Sequence, residues 1–167
     1  MPINTAFLAE LKHEAVNTRK MIERVPTDKL GWRPHEKSMT IGRLATHIAD
    51  LPAWFERIIV ADEFDFATAT LNRETKESTE AVLQLFDDRL DTAVNLLEHA
   101  TDDMLNALWT LRRGDYVFSQ VPRKVNLRNF AYNHIYHHRG QLSVYLRLLD
   151  IAVPGMYGPS ADEAKMV

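Results

Sequence analysis

Cysteine is absent from the 167-residue sequence. That absence removes disulfides, thiolate metal sites and cysteine nucleophiles together, and leaves His, Asp and Glu as the side chains able to hold a metal. A surplus of positive charge is missing as well. Lys and Arg number 20 against 23 Asp and Glu, a formal net charge of -3, so no excess of cations is available to neutralise a row of phosphates. Nucleic acid is therefore not an expected partner. No stretch approaches the ~18 apolar residues of a membrane span, and the opening segment MPINTAFLAELKHEAVNTRK holds no apolar core of signal-peptide length. A cytoplasmic location without a membrane partner is the expectation. Internal repeats, low-complexity tracts and sustained period-2 alternation bounded by turn signals are also not found.

What remains is an ordinary globular composition. Hydrophobic residues make up 46% and charged residues 26% of the chain, too apolar for disorder and sufficient for one buried core. A single domain over residues 1–167 is expected.

Helical periodicity organises that domain. Leu8, Leu11, Ala15, Thr18, Ile22 and Val25 recur at steps of three and four before Pro26, which predicts a helix over about residues 5 to 25. The linker PTDKLGWRPHEKSM follows, and Thr40 then caps a stripe of Ile41, Leu44, Ile48, Leu51, Phe55 and Ile58. That helix is expected over about residues 41 to 61, with a local kink where Pro52 removes one backbone hydrogen bond. Ser78 or Thr79 starts a third helix carrying Leu83, Phe86, Leu90, Ala93 and Leu97, and it ends near Ala100. Residues 101–125 read as a long loop or as a short extended excursion such as WTLRRGDYVFSQVP. A fourth helix over about residues 126 to 149 places Leu127, Phe130, His134, His138, Gln141, Tyr145 and Leu148 or Leu149 on one stripe. The tail IAVPGMYGPSADEAKMV cannot continue it and is expected to fold back on the helices. The fold class is thus all-α, a four-helix bundle whose long connections include a crossover.

Polar residues interrupt the last stripe. At ~100° per residue His134 and His138 lie one turn apart on one face, and an i, i+4 histidine pair on a helix forms a clamp for a metal ion. His47, at the inward edge of the second helix, can reach a site between helices. Each of these is also open to a plainer reading as a core histidine satisfied by a carbonyl or carboxylate. Three imidazoles would hold Zn²⁺, Ni²⁺ or Fe²⁺ and leave a coordination position open to water or substrate. His137 points ~100° away from His138; it either replaces one of the pair or hydrogen-bonds to a ligand. Gln141 either orients a ligand or is satisfied by backbone. His13 and His99 read as surface residues, and His35 sits in the first linker without a visible partner.

Three blocks, WRPHEKSMTIGRLATHI around His47, NHIYHHRGQLSVYLRLL around His134 and His138, and the tail VPGMYGPSADE, together resemble the DinB/YfiT-like superfamily over nearly the full length. The resemblance implies a bundle with crossover connections and a metal site at His47, His134 and His138, occupied by zinc or nickel, with iron or manganese as further options. It also implies a homodimer. Some members of the family are thiol transferases or isomerases, which points to a small-molecule substrate, including a low-molecular-weight thiol. Two functions follow as expectations: a metal-dependent transferase or hydrolase, or a non-catalytic, stress-associated metal-binding protein that acts as a dimeric interaction partner. The catalytic residues are not assigned by either.

Overall fold

A computed structural model describes residues 2–71 and 74–163. The chain is mostly helical, and a small three-stranded sheet corrects the all-α expectation. Helix α1 (Ile3–Ile22) is followed by a 3-10 turn at Thr27–Lys29. Helix α2 (Ile41–Asp50) begins where the Thr40 hydroxyl accepts a hydrogen bond from the Arg43 amide. The expected helix over 41–61 is split: α3 (Ala53–Val60) begins after Leu51 and Pro52. Pro52 has no N–H to offer, and Leu51 and Trp54 donate three residues back, to Ile48 and Leu51. The ladder tightens there and restarts.

Strand β1 (Glu63–Asp65) runs parallel to β2 (Leu108–Arg113), and β2 pairs antiparallel with β3 (Tyr116–Pro122). Gly114, at φ +55, supplies the left-handed residue of the β2–β3 turn. Between the first strand and the hairpin lie α4 (Thr79–His99), capped by Ser78, and the short α5 (Asp102–Asn106), capped by Thr101. The last helical segment starts as α6 (Arg123–Asn126), widens into a π-helical turn at Leu127–Tyr132 and continues as α7 (Asn133–Leu148).

Helix α4 packs against α1, α2 and α3, while α7 packs on α1 and α2. The apolar interior has two adjoining parts. One gathers Leu51, Phe55, Ile58, Trp109, Tyr132 and Ile135. The other gathers Ile22, Leu44, Ile48, Phe86, Leu142 and Leu146. Burying each such side chain contributes ~1.5–3 kcal/mol. Along α2 the change from one part to the other falls between Ile48 and Leu51, and along α7 between Ile135 and Leu142. His47 and the His134–His138 pair sit close to that seam.

The buried stripe of α7 is Ile135, Arg139, Leu142 and Leu146, with His138 beside it. This corrects the expected stripe: Gln141 is exposed. Arg139 holds the inward position because α1 satisfies it. Its guanidinium pairs with Glu14 at 2.6 Å and donates to the Thr18 hydroxyl and the Glu14 carbonyl. The tail folds back as expected, over α1 and α7, where Asn17 donates to the Met156 carbonyl and the Tyr157 hydroxyl to Glu14.

Candidate metal centre

His47 projects from α2, His134 and His138 from α7. One ring nitrogen from each lies within 4.8 Å of the others, and the Nε2 atoms of His47 and His134 are 3.2 Å apart. Two nitrogens each 2.0–2.1 Å from one tetrahedral zinc ion stand about 3.3 Å apart, so this spacing suits two ligands of a single ion. The ring centroids are 5.0 Å apart for His47 and His134, 4.6 Å for His47 and His138, and 4.8 Å for His134 and His138. Among the described residues no carboxylate joins this group.

Two of the three rings have hydrogen bonds outside the cluster. His138 Nδ1 lies 2.7 Å from Gln141 Oε1, which can only accept, so the proton is on Nδ1 and the Nε2 lone pair is free. The His134 ring bonds to the Phe130 carbonyl, which belongs to the π-helical turn just before α7. Such turns recur at functional sites because they redirect carbonyls and side chains out of the α-helical ladder.

Burial lowers the basicity of all three rings. His47 is pushed down to about 3, by desolvation first and then by His138, His134, Arg43 and Arg57. His134 falls to about 4, again mainly through desolvation, with His138 adding to it and the Phe130 carbonyl opposing it. His138 is lowered by desolvation, partly offset by Gln141. Neutral imidazole is the form that binds metal. The donor set, its spacing and its protonation therefore fit a divalent ion.

Of the other histidines, His137 is exposed, with its ring 4.8 Å from that of His138, and stands outside the group. His13, His35 and His99 are exposed. His35 accepts from the Lys37 amide, and His99 contacts the Asn95 carbonyl.

A cavity of about 270 Å³ opens beside His47 and His134, with Trp54, Phe66 and Leu71 on its apolar side and Arg43, Asp50 and Arg57 on its polar side. Arg43 and Asp50 precede and follow His47 by four and three residues on α2, the spacing of one helical face. That spacing was the available signal for both. Asp50 is engaged by Arg89 at 3.0 Å and Arg57 at 3.5 Å. Lys76 fastens the connection after β1 to α2 by donating its amide to the Thr46 hydroxyl, next to His47.

Among proteins of known sequence, the chain is 26% identical over 161 residues to the uncharacterized protein YrdA of Bacillus subtilis (strain 168), covering 94% of this chain and 89% of that one. Its fold is similar to the crystal structure of a DinB-like protein from Bacillus cereus ATCC 10987, with a TM-score of 0.71 at 24% identity over 93% of this chain and 98% of that one. A DinB-like protein of Bacillus subtilis, YjoA, superposes with a TM-score of 0.69 at 20% identity, over 93% of this chain and 96% of that one. No helix among the described residues is long and apolar enough to cross a membrane. The three-histidine group thus lies in a chain whose residues 1–166 match the model of the DinB family, and the chain belongs to that family.

Proposed function

We propose that this chain binds one divalent metal ion through His47, His134 and His138 and acts as a metal-dependent enzyme of the thiol S-transferase or hydrolase type. The observation that carries the reading is the convergence of three neutral imidazoles within 4.8 Å, two of which, His47 and His134, line a cavity. Structural metal sites ordinarily take four protein ligands; a set of three leaves room for a reactant. All-imidazole donors suit zinc or nickel, with iron and manganese as further options. Bound there, the ion supplies Lewis acidity that makes a water or thiol nucleophilic near neutral pH. The protein's own part is to keep the imidazoles neutral by burying them, to orient the His138 ring through Gln141, and to line the approach with Trp54 and Phe66.

The four long helical stretches, α1, α2 with α3, α4, and α6 through α7, we read as a bundle with crossover connections, forming one cytoplasmic domain that works as a homodimer. A non-catalytic role has one observation in its favour: the three histidines join α2 to α7, so a bound ion also ties the two helices together. Chelator separates the two readings. If melting falls sharply on metal removal and no thiol-plus-electrophile activity exists in the metal-loaded protein, the metal is structural. Site assignment is tested by metal content after purification. His134→Ala and His138→Ala are expected to lose most of the bound metal, while His13→Ala keeps it; equal retention in all three overturns the assignment.

A further inference from the structure

The polar side of the cavity has an uneven charge balance. Its charged lining is Arg43, Arg57 and Asp50, two cations against one anion, and Asp50 is shared between Arg57 and Arg89, which stands outside this lining. Arg43, half-buried on the same wall, makes no ion pair among the described residues. Arg57 is held in place by stacking: its guanidinium carbon lies 5.1 Å from the Trp54 ring centroid and 5.8 Å from that of Phe64. Its link to Asp50 is long, so its donors are not consumed by that contact. A planar guanidinium fixed against an aromatic face offers paired N–H groups in the geometry that carboxylates accept. This positive wall stands in a chain whose formal net charge is -3, so it is a local arrangement and not the overall charge of the protein.

Apolar side chains complete the lining. Trp54, Phe66 and Leu71 face the cavity, and Trp54 and Phe66 touch with ring centroids 6.5 Å apart. The volume, about 270 Å³, lies just below the range common for drug-sized ligands, roughly 300–1,000 Å³. A small molecule with one apolar body fits it. A cationic ligand would meet uncompensated arginine, and a purely apolar one would leave Arg43 desolvated without a partner.

We propose that this cavity binds a small organic anion, a carboxylate or similar planar oxyanion on an aromatic or apolar body, with Arg43 and Arg57 taking the anionic group and Trp54, Phe66 and Leu71 enclosing the body. The proposal deepens the reading of this cavity as the substrate site beside a metal centre, and rests on that reading for the ligand's role as substrate. Binding itself depends on the chain's own residues.

Phenylacetate is the probe and the isosteric neutral phenylacetamide its control, titrated calorimetrically into the full chain in zinc-loaded and chelator-stripped forms. Phenylacetate is expected to bind at least about 10-fold more tightly than the amide, because charge-assisted hydrogen bonds to arginine are lost in the amide. Arg43→Met is expected to weaken phenylacetate about 10- to 100-fold, with Arg43→Gln as a second neutral variant should the first fail to fold. Arg24→Met, an exposed arginine after α1, should leave binding unchanged. Quenching of Trp54 fluorescence on binding, lost in Trp54→Phe, locates the ligand in this cavity. Equal affinity for acid and amide, absence of phenylacetate binding at millimolar concentration, or wild-type affinity in the folded Arg43 variants overturns the proposal. Binding that needs zinc but ignores Arg43 also overturns it, while leaving the metal centre supported. Arg43-dependent binding in a protein that takes up no metal upholds it and overturns the metal reading instead.

Discussion

Nδ1 of buried His138 lies 2.7 Å from Oε1 of exposed Gln141, three residues further along α7. A side chain at the surface thereby sets which nitrogen of an interior ring turns toward His47 and His134. Hydrogen bonds of this kind fix ring orientation, and their loss typically weakens metal binding by about 10- to 100-fold. Gln141→Ala is expected to show a loss of that size in competition with a chromophoric chelator, with no comparable change in melting of the metal-free protein. Gln141→Glu keeps an acceptor and should retain tight binding. Unchanged affinity in Gln141→Ala would sink this role.

A second prediction concerns the joint between the helices and the hairpin. The Arg123 side chain is buried and donates to the carbonyls of Ile58 at 2.9 Å, Ala61 at 3.1 Å and Leu108 at 3.4 Å, and to Asp62 Oδ1 at 2.5 Å. It satisfies the open carbonyls at the C-terminal end of α3 and fastens them to the start of β2. Arg123→Met leaves those acceptors without their donor and is expected to destabilise the fold by roughly 2–4 kcal/mol in urea unfolding. Asp62 is different: its side chain is 95% exposed. Asp62→Ala should shift the urea midpoint far less than Arg123→Met, because water replaces the carboxylate. Equal losses in both variants would mean that the ion pair, and not the carbonyl contacts, carries the joint.

Gly42 gives a third. A methyl group there would stand 2.9 Å from both the Leu30 Cβ and the Leu30 carbonyl oxygen, and that same oxygen accepts the Gly42 amide at 3.0 Å. The first linker therefore lies directly against the first turn of α2. Alanine gains up to ~1 kcal/mol in helix propensity, but overpacking against backbone costs about 1–3 kcal/mol. Gly42→Ala is expected to lower the melting temperature, and a rise would show that the linker moves aside without cost.

The histidine pair on α7 was legible because i, i+4 spacing depends only on helix geometry, whereas His47, at the edge of an apolar stripe, was left open by the pattern and singled out by the family resemblance. Gln141 was misplaced inward for a physical reason. The stripe read from Leu127 to Tyr145 ignored Arg139, whose burial is made possible by Glu14 and Thr18 of α1, a partner no local pattern reveals. The hairpin was only half visible. Trp109 and Leu111 alternate inward on β2, but Tyr116, Val117 and Phe118 of β3 are all exposed and break the period of two. The split at Pro52 was anticipated as a kink, since proline's missing donor is a local property. The arginines of the cavity were not read at all, because a charged residue on a helix face is solvated by default until a neighbouring loop, here the one bearing Phe66 and Leu71, closes over it.

The tail carries a pH-dependent latch. Asp162 accepts from both Arg147 nitrogens, at 3.1 and 2.6 Å, and from the Val153 amide at 2.8 Å. Arg147 first, and the Val153 amide second, hold its carboxyl well below the usual carboxylate range, down to about 2. In the unfolded chain the group titrates near ~3.9. The folded form therefore binds fewer protons between these two values, so the latch is fully present above pH ~4 and is lost as pH falls through about 2. Exchange of the Val153 amide, corrected for its intrinsic rate, should stay slow from neutrality down to about pH 4 and quicken below it. In Asp162→Asn, which keeps the size but cannot ionise, that exchange should be fast at every pH and show no such transition. The Leu142 and Leu146 amides, on the buried stripe of α7, should stay protected in both proteins, because the latch holds the tail and not the helix beneath it. Loss of protection at Leu142 in the same pH window would show that the tail and the helix open together.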